Sequence, residues 1–158
     1  MLPRSWMEAY LKFLLNFRLP ESLRDTILDA LFAAYLGDEQ AFARELYLSW
    51  KDACQMQDAG MVVGSHSHNH TALSLLSDDR QREDLKTCTD LLHRRLRPQP
   101  RWPFSYPYGK KDTYNDLTVY AIRELGYCCS FGTESGVNHV GQDLFALRRV
   151  DTKDVAVA

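Results

Sequence analysis

The sequence has no long apolar run. Its nearest candidate, between Met1 and Phe17, carries Leu11, Phe13, Leu14 and Leu15 but is interrupted by Lys12 and Asn16. Nothing approaches the roughly 20 apolar residues a membrane span requires. No small-residue cleavage site follows, so this stretch reads as an amphipathic helix, not a targeting signal. An excess of positive charge is also missing: 19 Lys and Arg stand against 21 Asp and Glu, a formal net charge of −2 at pH 7. With a pI of about 6.2, no nucleic-acid partner is expected, because that function calls for a basic face. Cysteine is sparse. Cys54, Cys88, Cys128 and Cys129 form no CxxC pair and no disulfide framework. A reducing, cytoplasmic location is the expectation, and Cys128-Cys129, in a predicted strand, should point to opposite faces.

What remains is ordinary globular composition, 45% apolar and 25% charged over 158 residues, enough for one domain with a real core. The chain is read as a single domain over 1–158, with a helical lead-in over 1–59 and a motif-bearing α/β part over 60–154. Pro20 and Gly37 bracket a helix with Leu23, Ile27, Leu31 and Ala34 on one face. Asp38 can cap the next helix, through Leu48, and Ser49-Trp50-Lys51-Asp52 reads as a capping box opening another that ends at Gly60.

From Met61 the pattern changes. Met61-Val62-Val63-Gly64 has strand length, and Ser77 opens a long helix with Leu85, Cys88 and Leu92 in register, stopped by Pro98. Its basic end, His93-Arg94-Arg95-Leu96-Arg97, complements the helix C-terminus. Trp102–Tyr106 is a second predicted strand with Pro107-Tyr108-Gly109 as its exit turn. Asp112 is expected to cap a helix that buries Tyr114, Leu117, Ala121 and Leu125 and ends at Gly126. Tyr127–Phe131 is a third strand and Leu144–Val150 a fourth. Alternating strands and helices are the grammar of a parallel sheet.

The sharpest feature is Gly64-Ser65-His66-Ser67-His68-Asn69-His70-Thr71, with three of five histidines within five residues. It follows a predicted strand, the position at which parallel α/β sheets build ligand sites. His66 and His70 are four apart, so in a helical turn they share a face and can converge on one ion, with His68 pointing elsewhere. The alternative is a solvated polar loop. No acidic residue lies near the cluster before Asp78, so spacing supplies half a site. The second constellation, Arg101-Trp102-Pro103-Phe104-Ser105-Tyr106-Pro107-Tyr108-Gly109, is a rigid aromatic turn. Phe104 suits the core, whereas Tyr106 and Tyr108 are candidates to stack against a sugar ring.

These segments resemble the polysaccharide deacetylase (NodB-homology) family of carbohydrate esterases. Gly64-Ser65-His66-Ser67-His68-Asn69-His70 is similar to the family's histidine motif, and Phe104-Ser105-Tyr106-Pro107-Tyr108-Gly109 to its Pro-Tyr-Gly turn. Gly132–Gly136 and Leu147–Thr152 resemble a closing segment of one bacterial branch. The resemblance implies an α/β fold, a partial, distorted (β/α) barrel of parallel strands lacking its first strands, N-terminally truncated and preceded by the helical segment. It implies His66 and His70 as ligands of a divalent metal, usually zinc. The Tyr108 backbone N–H becomes a catalytic oxyanion donor, Tyr106 and Pro107 substrate-binding residues, and an N-acetylated carbohydrate the substrate. It also implies a sheet edge that a partner chain could cover.

The sequence departs from that pattern in three places. The family's early strand ending in paired aspartates, one a metal ligand and one the base, has no counterpart before the histidines; Asp78-Asp79 follows them at a helix start. Ser105 stands where many members carry Arg. No Leu-x-His segment supplies a general acid, and His139 sits in a Gly-rich loop. Three readings follow: a deacetylase, inactive as this chain alone if the first strands are missing; a non-catalytic metal- or glycan-binding remnant acting with a partner subunit; or an unrelated α/β domain.

Overall fold

The computed structural model describes residues 6–152 and Val155. The chain divides into two compact units at Ser49 and Trp50.

In the first unit, α1 (Trp6–Phe17), α2 (Glu21–Tyr35) and α3 (Glu39–Leu46) follow one another. Pro20 precedes α2 as its N-cap, and Gly37 leaves it at φ +80, a conformation open to glycine without Cβ strain. Asp38 caps α3 by accepting the Ala41 N–H at 2.6 Å. Phe32 meets Phe42 edge-on at 5.2 Å. None of the three helices buries a residue fully.

The second unit opens with α4 (Trp50–Asp58) and carries α5 (Asp78–Arg95), α6 (Asp116–Glu124) and three strands, β1 (Pro103–Ser105), β2 (Cys129–Ser135) and β3 (Leu147–Arg149). All pairings are parallel, in the order β1-β2-β3. The sheet is open, with β1 and β3 at its edges. Phe104 of β1 and Ser130 of β2, paired in register, are both fully buried. They point to the face where Leu85 of α5 and Ala121 and Ile122 of α6 form the core with Leu73, Tyr106 and Tyr127. Pro103, Ser105, Cys129 and Phe131 alternate to the other face and are only half-buried. Parallel sheets are usually covered on both faces; here one face is packed and the other lines a cleft.

Two sequence expectations need correction. Met61–Gly64 is not a strand: only Ser65 makes an isolated parallel bridge, to Phe104. The Gln99 side chain occupies the backbone polar groups of Val63 instead, accepting its N–H at 3.3 Å and donating to its carbonyl at 2.6 Å. Met61 and Val62 are exposed, so no packing rewards extending the ladder. The cap of α6 is Asn115, not Asp112. Asn115 and Thr118 form a reciprocal capping box, which starts the helix three residues later and turns Thr118, not Leu117, inward.

Candidate functional site

The histidine loop is held from three sides. Ser65 joins β1 by donating to the Pro103 carbonyl at 2.9 Å and accepting the Ser105 N–H at 2.8 Å. Asp84, buried on α5, accepts the backbone N–H groups of His68 and Asn69, each at 2.9 Å. Ser67 Oγ accepts the His70 N–H at 3.0 Å. These bonds divert backbone donors from any helical ladder, and Ser67 and His70 adopt left-handed φ of 65 and 53. The expected helical turn between the two histidines is therefore absent. Their convergence comes from left-handed bends instead.

The convergence itself is present: the His66 and His70 rings lie 4.8 Å apart, edge to face. His66 Nδ1 sits 2.7 Å from the Ser105 carbonyl. A carbonyl can only accept, so Nδ1 carries the proton and Nε2 presents its lone pair. A metal-binding imidazole ordinarily has such an outer partner. Partial desolvation and, next, the neighbouring His66 lower the pKa of His70, which favours the neutral, ligating form. With Zn–N distances of about 2.1 Å, two tetrahedral ligand nitrogens lie about 3.4 Å apart, within reach of rings so placed. Among the described residues no group of three His, Cys, Asp or Glu side chains gathers around a common point. The donors fit a divalent ion as two of its ligands.

Tyr108 abuts the pair, its ring 5.0 Å from that of His70. Tyr108 and Gly109 are consecutive left-handed residues, at φ 61 and 65. For a residue with a Cβ this costs about 1–2 kcal/mol, and it persists where surroundings over-determine it. Thr133 of β2 supplies that constraint, donating its N–H to the Gly109 carbonyl at 2.8 Å and its hydroxyl to the Tyr108 carbonyl at 3.2 Å. Ser67, His70 and Tyr108 are the non-glycine residues with positive φ among those described, and all three belong to this site.

Tyr106 and Pro107 do not present side chains to a ligand. Both are buried. Tyr106 stacks on Tyr114 at 3.6 Å, donates to the Phe145 carbonyl at 2.9 Å and accepts from Ser130 Oγ at 2.8 Å. The reason is strand alternation: Tyr106 follows Phe104 onto the packed face. His139 lies exposed in the loop after β2.

Sequence reasoning missed Asp84, although a signal existed: it lies on the same helical face as Leu85, Cys88 and Leu92, where an unpaired carboxylate would be costly. It also missed Arg149 of β3, which with His66, Ser105 and Phe131 lines a cleft of about 390 Å3 on the sheet face opposite the core.

The sequence profile described as polysaccharide deacetylase matches residues 20–130. No curated protein matches the chain. Among solved structures, the deacetylase PplD of Streptococcus pyogenes in complex with acetate shares 29% identity at a TM-score of 0.59, covering 66% of this chain and 44% of its own. IcaB of Ammonifex degensii shares 27% at 0.55, covering 68% and 49%. The BpsB deacetylase domain of Bordetella bronchiseptica, at 24% and 0.58 with 66% and 48% covered, shows the fold alone. The chain spans just under half the length of these structures.

Proposed function

The chain belongs to the polysaccharide deacetylase family, and from that premise we propose that it carries part of the site of a metal-dependent hydrolase removing N-acetyl groups from an amino sugar or glycan. The observation that carries this reading is the approach of the His66 and His70 rings to 4.8 Å beside Tyr108. His66 and His70 would hold the divalent ion, zinc being best suited to imidazole donors with an open coordination position. When bound, such an ion polarises the acetamide carbonyl and activates water.

The chain's own groups have distinct tasks. Ser105 fixes the His66 tautomer through its carbonyl, and Asp84 fixes the backbone between the histidines. The Tyr108 N–H, set by the left-handed turn, donates to the oxyanion that forms on the acetamide. Tyr106 and Pro107 act through burial, anchoring that turn. Phe131 offers an apolar floor for a sugar ring in the cleft. With further strands beside β1, the open sheet would become the later part of a distorted (β/α) barrel.

Among the described residues no third His, Cys, Asp or Glu joins the pair, and in this reading a third metal ligand and a base come from another segment or from a partner chain covering the open side of the sheet. A positioned base is typically worth about 10²–10⁴-fold. Acetate release from chitooligosaccharides by the 158-residue chain with added zinc is expected near background. It should rise when a polypeptide bearing a strand that ends in Asp-Asp is supplied, and fall again in His66→Ala. Robust turnover by the chain alone, abolished by His66→Ala, would overturn the assigned need for outside carboxylates. The two-donor set also favours a second reading, a non-catalytic glycan- or metal-binding chain; retained glycan binding without turnover in either arm would select it.

A further inference from the structure

Cys128 and Cys129 bring their sulfurs to 3.7 Å of each other. Neighbours within a flat strand project to opposite faces, but Cys128 sits one residue before β2. Its N–H is taken by the Trp102 carbonyl at 2.9 Å, so the strand's alternation begins only at Cys129 and the two thiols share one side. Both are free and half-buried, and neither takes part in the histidine site. The other two cysteines stand apart: Cys54 donates to the Arg95 carbonyl and Cys88 lies against Ser65 Oγ.

The separation has chemical meaning. Two thiolates bound tetrahedrally at about 2.3 Å have sulfurs about 3.8 Å apart, so the pair already has the bite of a dithiol chelate. A disulfide is disfavoured. Adjacent Cα atoms are about 3.8 Å apart across a trans peptide, whereas disulfides ordinarily span about 4.4–6.8 Å. Burial, and then Cys128, push the Cys129 thiol up to about 11. That suppresses the reaction of a lone thiolate, whereas a centre that takes both sulfurs gains two bonds together at the 3.7 Å separation already present. The Arg101 guanidinium beside Cys129 favours its anion. Among the described residues no third ligating side chain joins the two sulfurs. Zinc, which prefers four donors, is thereby poorly served. A centre that needs two thiols is well served.

We propose that Cys128 and Cys129 form a preformed two-thiol site for trivalent arsenicals, distinct from the His66–His70 centre. With phenylarsine oxide, two S–H bonds and the As=O bond give way to two As–S bonds. Both protons leave with the oxygen as water, and arsenic remains trivalent.

The test is phenylarsine oxide added at one equivalent to the full 158-residue chain, followed by intact-mass analysis and thiol alkylation. The expected result is one phenylarsenic adduct per chain, with alkylation confined to Cys54 and Cys88. Cys128→Ser and Cys129→Ser should each lose the adduct, while Cys54→Ser and Cys88→Ser keep it. The folded chain should also retain its adduct against a higher concentration of competing dithiol than the chain in urea. Absence of an adduct in the wild type, its persistence in either Cys128→Ser or Cys129→Ser, or equal retention folded and unfolded would overturn the proposal.

Discussion

Asp84 accepts the backbone N–H of His68 at 2.9 Å with one carboxylate oxygen while the other takes the N–H of Asn69 at the same distance. A helix thereby fixes, from outside the loop, the stretch of chain that separates two candidate ligands. The carboxylate is buried, so these charge-assisted bonds work away from competing water.

Asp84→Ala should therefore unfold more easily, by about 3–6 kcal/mol, since bonds to a charged group contribute about 1.5–3 kcal/mol each and two donors lose their acceptor. Zinc affinity should fall about 10–100-fold, as when an outer partner of a metal ligand is removed. Urea unfolding and zinc titration check both. Unchanged zinc affinity in a folded Asp84→Ala would show that Asp84 does not position the histidines.

Gly109 and Gly60 offer a matched pair. Both have positive φ, at +65 and +87, but a Cβ on Gly109 would meet Thr133 Cγ2 at 2.6 Å and its nitrogen at 2.8 Å, while Gly60 has nothing within 4 Å. Gly60→Ala should cost about 1–2 kcal/mol, the left-handed penalty alone. Gly109→Ala adds overpacking against backbone and should cost about 1–3 kcal/mol more. Equal unfolding midpoints for the two variants would contradict the close approach of the Tyr108 turn to β2.

Much of this was legible in the sequence, for identifiable reasons. Gly64 to His70 and Pro107 to Gly109 are local patterns; chain spacing nominated His66 and His70, and the resemblance to the family nominated the Tyr108 N–H. The parallel order of β1 and β2 follows from the helix between them. What was not legible depends on long-range partners. Gln99, 36 residues on, takes the backbone groups of Val63 that a ladder would have used. Asp84 reaches back to the loop from the next helix, and the Tyr106 hydroxyl finds Phe145, 39 residues away. Non-local packing also brought the Cys128 and Cys129 sulfurs together where strand alternation predicted divergence, whereas the burial of Tyr106 follows from the same alternation that buries Phe104.

Tyr106 gives a pH signature. Burial raises its hydroxyl from 10.0 to about 12, so the folded state binds that proton more tightly than the unfolded state. Its contribution to stability is whole below the unfolded value near 10 and is lost as pH rises through the folded value near 12. Tyr106→Phe should cost about 1 kcal/mol at neutral pH, because Ser130 Oγ can still donate to the Phe145 carbonyl at 2.8 Å. It should also flatten the alkaline decline. Unfolding midpoints that fall equally with pH above about 10 in both proteins would contradict the assignment.

In the proposed function His66 and His70 act together as ligands of one divalent ion. Long-range 1H–15N correlation of the imidazoles during a zinc titration tests it most directly, in a Cys128→Ser/Cys129→Ser background that removes thiol binding. Before zinc, His66 should show a protonated Nδ1, as its bond to Ser105 requires. On addition, His66 and His70 should shift together and saturate at one ion per chain, with His68, His93 and His139 unmoved, and His66→Ala should abolish the response of His70. Independent titration of His66 and His70, or a His70 response that survives His66→Ala, would contradict the account.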